Sequence, residues 1–189
     1  MRTADKLQGV SVQDYLDGEE HGKVRHEYLG GVVYAMAGAS DEHNGICLNI
    51  ATALHGHLRG KACRVFMADV RLRLGIAGDD LLYYPDLMVA CDPRDTDRLF
   101  KQFLRVLIEV LSEATERTDR QEKFLGDTQI ETLGEYVLVA QDRMEATVFR
   151  RASGWRPEMV TVAEAVLWLE AIGFSLSLAA VYEGILPAR

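Results

Sequence analysis

The sequence predicts an α/β (α+β) fold, with a mixed β-sheet core flanked by helices and a β-hairpin near the N-terminus. Three observations carry this expectation. Residues 105–111, RVLIEVL, are nearly all apolar, as a strand covered on both faces would be. Short alternating or apolar segments recur on both sides of it, punctuated by Gly and Asp turns. Helix-periodic stretches opened by Ser or Thr caps are interspersed among them, which fits helices packed on a mixed sheet. No repeat, low-complexity segment or linker divides the 189 residues, so one domain over 1–189 is expected.

The elements follow in order. Ser11 caps a short helix to Leu16, with Asp14 three residues on as a loose capping box. Val24–Leu29 and Val32–Ala37 flank Gly30-Gly31 and read as a hairpin with a two-residue turn. Ser40 caps a longer helix with Ile46, Ile50, Ala53, Leu54 and Leu58 on one face, and Gly60 suits its C-terminal turn. Cys63–Met67 and Val70–Ile76 read as strands, the latter alternating Arg71 and Arg73 with Leu72 and Leu74. After a turn at Gly78-Asp79-Asp80, Leu81–Ala90 reads as a strand with Pro85 inside it, which favours an edge or a bulge. Residues 91–101 read as a polar loop, and Arg105–Leu111 as the buried strand. Thr118 with Gln121 forms a capping box for a helix through about Asp127. Tyr136–Ala140 and Met144–Arg150 form a second hairpin, and Ser153-Gly154 a further turn. In the tail, Ser175–Leu178 alternates like a strand and Ala179–Ile185 suits a closing helix.

Composition narrows the function classes. Hydrophobic residues make up 48% and charged residues 26%, ordinary for a soluble globular protein. No stretch reaches the ~20 apolar residues of a membrane span, and the first residues, MRTADKLQGV, lack the apolar run of a signal peptide. Cys47, Cys63 and Cys91 are odd in number and widely spaced, so reduced thiols and a cytoplasmic location are expected. A net charge of −8 argues against nonspecific coating of nucleic acid. Local basic clusters remain, at Arg59, Lys61, Arg64, Arg71 and Arg73 and at Arg94, Arg98, Lys101 and Arg105, either solvated surface charges or patches for a polyanion.

The chemistry concentrates between Tyr84 and Lys123. Asp86 and Glu109 are acids in strands that otherwise read as core, and such charges are costly without compensation. Strand parity puts Asp86 on the face of Met88 and Ala90, and Glu109 on that of Leu107 and Leu111. If the two strands are neighbours with these acids opposed, both carboxylates converge. A shared divalent cation would keep them ionised, and Mg²⁺ with carboxylates, waters and a phosphate oxygen points to phosphodiester chemistry. Lys123, on the helix that follows, could aim its ammonium at this pair, or form a surface pair with Asp119 four residues earlier.

Tyr84-Pro85-Asp86, the run Ile108-Glu109-Val110-Leu111-Ser112, and Thr115, Asp119 and Lys123 beyond it resemble the PD-(D/E)XK nuclease superfamily. More narrowly they are similar to its family of restriction-type endonucleases, abundant in cyanobacteria and other bacteria. His26–Ala37 is similar to that family's opening hairpin, His43 to a histidine early in its next helix, and Glu135–Val139 to its late strand. The resemblance spans roughly residues 10–185 and implies a restriction-endonuclease-like core. It implies that Asp86 and Glu109 bind Mg²⁺, with Mn²⁺ as a substitute, and that Glu27 is a further acid near the metal. It makes Asp86, Glu109, Lys123 and Glu27 the candidate catalytic residues. Two departures stand out. Leu111 occupies the position two after Glu109 where the superfamily places its lysine, so Lys123 would replace it from the helix. Val32 follows the hairpin glycines where the family often has an acid.

His43 and Arg73 are candidate cleft residues; His43 otherwise reads as a polar helix-start residue. The reading is then a Mg²⁺-dependent endonuclease acting on DNA, and the resemblance further implies a homodimer, because cutting both strands needs two sites. A nuclease-like fold that only binds nucleic acid or a protein, and a small-molecule phosphohydrolase, are the alternatives.

Overall fold

Local sequence signals set most of the elements. Ser11 Oγ accepts the Asp14 N–H at 3.1 Å and opens α1, Val12–His21. The strands β1 (His26–Leu29) and β2 (Val32–Ala35) turn at Gly30 and Gly31, whose φ values of 56° and 96° suit the tight turn that only glycine enters freely twice in succession. Ser40 Oγ accepts the His43 N–H at 3.2 Å and opens α2, Asp41–Leu58, which buries Ile46, Cys47, Ile50, Ala51, Leu54 and Leu58. The computed structural model describes residues 9–36, 38–112 and 123–185. The helix expected from Thr118 lies mostly outside them; its end is seen as α3, Phe124–Asp127. Thr115, Asp119 and the Thr118–Gln121 capping box also lie outside them.

The remaining strands are β3 (Arg64–Met67), β4 (Arg71–Ile76), β5 (Asp79–Tyr83), β6 (Leu87–Ala90), β7 (Phe100–Lys101), β8 (Leu104–Leu111), β9 (Glu135–Ala140), β10 (Ala146–Arg150), β11 (Pro157–Val160), β12 (Val166–Leu169) and β13 (Phe174–Ser177), with a closing helix α4 (Leu178–Val181). Among the described residues they form one sheet in the order β2-β1-β5-β4-β7, a second in the order β11-β10-β9-β8-β6-β3, and the hairpin β12-β13. Both larger sheets are mixed, with β4–β7 and β8–β9 parallel.

Strand alternation sorts the core into layers. On one face of the second sheet, Leu87, Val89, Val106, Ile108, Val110, Val137 and Val139 pack with Ile46, Ile50 and Leu54 of α2 and with Leu178 and Val181 of α4. On its other face, Met88, Leu107, Leu111, Tyr136 and Leu138 pack with Leu72, Leu74 and Tyr83 of the first sheet. Outside the first sheet, α1 contributes Tyr15 to a small cluster with Tyr28 and Leu82. The nearly unbroken apolar run of β8 follows directly, since both of its faces are covered.

Four expectations are corrected. Leu81–Ala90 is two strands, not one: β5 ends at Tyr83 and β6 begins at Leu87, in different sheets. Pro85 has no N–H to continue a ladder, and the chain crosses between the sheets there. The loop at 91–101 ends in a short strand, β7, parallel to β4. Arg71 and Lys101 are buried, not solvated, at 6% exposure each. Cys63 and Cys91 are joined by a disulfide and only Cys47 is a thiol. The pairing of Arg64 with Ala90 sets residues 63 and 91, one step further, side by side with Cα atoms 4.1 Å apart. A separation of 28 residues carries no sign of that register. The bond removes the reduced-thiol argument for a cytoplasmic location. Among the described residues, no helix is long and apolar enough to cross a membrane.

α3 is tied down by a buried acid. Asp127 is fully buried and accepts a hydrogen bond from the Tyr83 hydroxyl. Burial pushes its carboxyl well above the ordinary 3.8. The native state therefore keeps a proton that the unfolded chain releases. The group's contribution to stability is therefore fully present below the ordinary value and is lost as pH rises from there towards the raised native value. Asp127→Asn, which keeps an acceptor for Tyr83, is expected to remove this loss, worth up to about 1.4 kcal/mol per pH unit within the window. Thermal melts from about pH 4 to about pH 8 should show the variant gaining on the wild type as pH rises. Parallel curves would refute the assignment.

Candidate active site

The crossover at Tyr84-Pro85-Asp86 brings the acids together. In the antiparallel pairing of β6 with β8, Leu87 faces Ile108 and Met88 faces Leu107. One step further along the same register sets Asp86 against Glu109. The contacts are reciprocal: Asp86 N–H donates to Glu109 Oε2 at 3.1 Å, and Val110 N–H donates to Asp86 Oδ2 at 2.7 Å. Each acid is thus held by backbone at the other's position. Glu109 is 3% exposed on the face of Leu107 and Leu111, whereas the Asp86 side chain is 23% exposed. One carboxylate lies in the sheet and its neighbour opens toward solvent.

His43 arrives from the first turn of α2. Its Nε2 lies 3.2 Å from Asp86 Oδ2 and its Nδ1 lies 3.8 Å from Cys47 Sγ, one helical turn later. Burial first, then the charges of Asp86 and Glu109, push the Cys47 thiol up, so it stays protonated there.

Lys123 immediately precedes α3. Its Nζ lies 3.3 Å from Glu27 Oε1 on β1 and 5.1 Å from the centre of the Tyr83 ring. Tyr83 stands three residues before Asp86, so the lysine sits over the strand end that leads into the crossover. Both side chains of the pair are mostly covered, at 21% and 22% exposure. Lys123 is therefore not a freely solvated surface charge. Arg73 is not brought to this cluster. It pairs with Asp80 at 2.9 Å and lies 5.3 Å from the Phe100 ring. The register Leu72–Tyr83 and Arg73–Leu82 puts it on the opposite face of the first sheet from Tyr83.

A polar network behind the crossover has no counterpart in the sequence patterns. The Tyr84 hydroxyl donates to Glu19 Oε2 at 2.6 Å and accepts from Arg71 Nε at 2.8 Å. Glu19 also accepts the His26 N–H at 3.2 Å, with His26 Nδ1 2.7 Å from its other oxygen. Burial alone would raise the Glu19 carboxyl, but the hydrogen bonds from Tyr84 and His26 outweigh it and hold the group below its ordinary value. Burial and the bond to Glu19 push the Tyr84 hydroxyl up, so it remains a donor. Helix α1 and strands β1 and β4 thereby fix the residue two before Asp86. Cys47 was legible in principle, four residues after His43 on one helical face. Glu19, 65 residues from Tyr84, had no local signal.

The arrangement offers donors that a divalent cation could use. Adjacent carboxylates offer oxygen donors, and the contacts that His43 and Val110 make with the Asp86 carboxylate both fall on the single atom Oδ2.

Known proteins resemble this chain in sequence and in fold. A family model described as "Uma2: Putative restriction endonuclease" matches residues 12–180. The uncharacterised protein slr1290 of Synechocystis sp. is 32% identical over 180 residues, covering 93% of this chain and 93% of that protein. A second Synechocystis sp. protein, sll1609, also uncharacterised, is 31% identical over 135 residues, covering 70% of this chain and 75% of its own length. A crystal structure from Anabaena variabilis, described as a putative nuclease belonging to DUF820, superposes with a TM-score of 0.73 at 17% identity, over 87% of this chain and 93% of that one. At that identity the likeness is one of fold, and it matches the mixed sheets flanked by helices.

Proposed function

Because the chain belongs to the Uma2 family, whose model is described as "Putative restriction endonuclease", we propose that it is a Mg²⁺-dependent endonuclease hydrolysing phosphodiester bonds in DNA. Family membership supports nuclease-type function. The observation that carries the finer reading is the reciprocal lock of Asp86 and Glu109, which fixes two carboxylates side by side at the crossover.

Asp86 and Glu109 would hold Mg²⁺, with Mn²⁺ as a substitute. When bound, the ion supplies Lewis-acid polarisation of a phosphoryl oxygen and a water more easily deprotonated. The chain's own groups do the rest. His43 and the Val110 N–H orient the Asp86 carboxylate. Lys123, steered by Glu27 and the Tyr83 ring, offers positive charge to the phosphate as negative charge develops on it. Glu27 holds the lysine in place. Of the two basic clusters, exposed Arg59, Lys61, Arg64, Arg98 and Arg105 are left to hold a nucleic-acid backbone, since Arg71 and Lys101 are buried and Arg73 and Arg94 are paired with acids. A homodimer would supply the second site for a double-strand cut. Edge strand β2, with Val32, Tyr34 and Val33 exposed among the described residues, is the surface that favours one.

Supercoiled plasmid should be nicked with Mg²⁺ or Mn²⁺ and left intact with a chelator. Lys123→Ala should slow nicking by about a hundredfold without moving the melting temperature much. No cleavage of varied DNA and RNA substrates with either metal would overturn the proposal. One observation favours a second reading, a nuclease fold that only binds: Leu111 is buried at 4% exposure where the superfamily places its lysine. Calorimetry showing no site at millimolar Mg²⁺ or Mn²⁺ would select that reading.

A further inference from the structure

We propose that His43, Cys47 and Asp86 form a second cation site, built for a thiophilic divalent ion such as Zn²⁺, whose occupation takes Asp86 away from the hydrolytic site. Only the inhibitory consequence rests on the nuclease reading; the site itself rests on geometry.

His43 and Cys47 lie one helical turn apart in α2, so both project from one face. Asp86 meets them from the crossover between the sheets. One donor atom from each of the three lies within 4.8 Å of the others. The donor set is one nitrogen, one sulfur and one oxygen. Mg²⁺ takes oxygen ligands and discriminates against sulfur, whereas Zn²⁺ binds imidazole, thiolate and carboxylate with bonds of about 2.0–2.3 Å. Tetrahedral bonds of that length put donors roughly 3.3–3.8 Å apart. The His43–Asp86 separation of 3.2 Å and the His43–Cys47 separation of 3.8 Å are already of that order, although they involve different ring nitrogens. Small side-chain rotations would let one nitrogen serve the ion.

The site also has an entrance. His43 and Asp86 side chains are 15% and 23% exposed, while Cys47 forms the buried floor at 4%. Binding exchanges the thiol proton, released to solvent, for a metal–sulfur bond. The two positive charges of the ion then meet one thiolate and one carboxylate, and a water or substrate oxygen can fill the fourth position. An ion held on Oδ2 draws the Asp86 carboxylate toward His43 and sets a second positive charge beside any cation on its other oxygen, so the two ions bind against each other. The same carboxylate therefore reports which ion is present.

Cobalt(II) is the probe, because a cobalt–thiolate bond gives a near-ultraviolet charge-transfer band. The protein with its disulfide intact should develop that band at about one equivalent of Co²⁺, and Zn²⁺ should bleach it. Cys63 and Cys91 are bonded to each other, so the band must come from Cys47. Cys47→Ser and Cys47→Ala should both lack it, and His43→Ala should bind at least about tenfold more weakly. Far-ultraviolet circular dichroism identifies which variants are folded. No band in folded wild-type protein at excess Co²⁺, or an equal band in folded Cys47→Ser, overturns the site. In the Mg²⁺-supported nicking assay, low Zn²⁺ should inhibit the wild type, and Cys47→Ser should need at least about tenfold more. Equal Zn²⁺ sensitivity would overturn the inhibitory role. Protein that never nicks DNA but shows the cobalt band would sink the nuclease reading and leave the metal site standing.

Discussion

Glu109→Gln is expected to reduce DNA cleavage by about a thousandfold or more while leaving the fold intact. The amide has almost the same shape as the carboxylate. Its oxygen can still accept the Asp86 N–H that Glu109 Oε2 accepts at 3.1 Å, so the register of β6 on β8 is kept. What disappears is the negative charge next to Asp86. A single remaining carboxylate holds Mg²⁺ weakly, because this ion sheds its waters reluctantly and relies on charge. Glu109 is 3% exposed and the amide keeps the bond from the Asp86 N–H, so neutralising it should leave thermal stability near wild type. Loss of activity without loss of stability separates a functional acid from a structural one. Plasmid nicking, Mg²⁺ calorimetry and a thermal melt of the same preparation check it. Nicking within tenfold of wild type would remove Glu109 from the chemistry.

The sequence offered the meeting of these two acids only on the condition that their strands are neighbours, and the pairing of β6 with β8 meets that condition. Period-two alternation placed Asp86 with Met88 and Glu109 with Leu107; Glu109 lies within β8 as expected, whereas Asp86 stands just before β6 and its Oδ2 meets His43 of α2, the helix that covers the Leu87 and Val89 face. The caps at Ser11 and Ser40, the glycine turn and the run of β8 were legible because each is decided by a few consecutive residues. The crossover was only half legible. Pro85 marked a break, but nothing nearby said that Tyr83 and Leu87 would enter different sheets. Which sheet a strand joins is decided by partners far along the chain, and strand pairing leaves no trace at short range.

The same reason explains the disulfide and the buried arginine. Cys63 and Cys91 are neighbours only because β3 pairs with β6. Arg71 resembled its solvent-facing neighbours in sequence, yet it lies 5.6 Å from the Tyr15 ring and 5.2 Å from the Tyr84 ring, with its Nε on the Tyr84 hydroxyl. An alternating Arg-Leu-Arg-Leu strand predicts which side is polar but not whether a further helix covers that side. In this fold α1 does, and the arginine becomes internal wiring for the crossover.

Glu135→Ala is expected to cost about 3–5 kcal/mol, a large share of the roughly 5–15 kcal/mol that holds a domain folded. Glu135 opens β9 with only 2% of its side chain exposed. Its Oε1 accepts Arg150 Nε at 3.0 Å and the Glu170 N–H at 2.9 Å, and its Oε2 accepts the Ala171 N–H at 3.1 Å. One carboxylate therefore satisfies a cation on the neighbouring strand β10 and two amides of the short helical turn Glu170–Ile172. Alanine would leave all three donors without it. The cost comes less from a lost attraction than from polar groups stranded in a covered place. A loss of that size should lower the melting midpoint by roughly 10 °C in a chain of this length. Glu135→Gln should cost less, about 1–2 kcal/mol, because one amide oxygen remains to accept. Adding Arg150→Met to Glu135→Ala should recover part of the loss by removing the stranded charge, although Arg150 also reaches Glu158 and donates to the Trp168 carbonyl at 2.8 Å. Urea and thermal unfolding of the three variants measure this directly. A loss under about 1 kcal/mol for Glu135→Ala would mean that water replaces the carboxylate and that the turn is not anchored through it. Cleavage measured well below each variant's melting point should stay near wild type, since none of these contacts touches Asp86, Glu109 or Lys123.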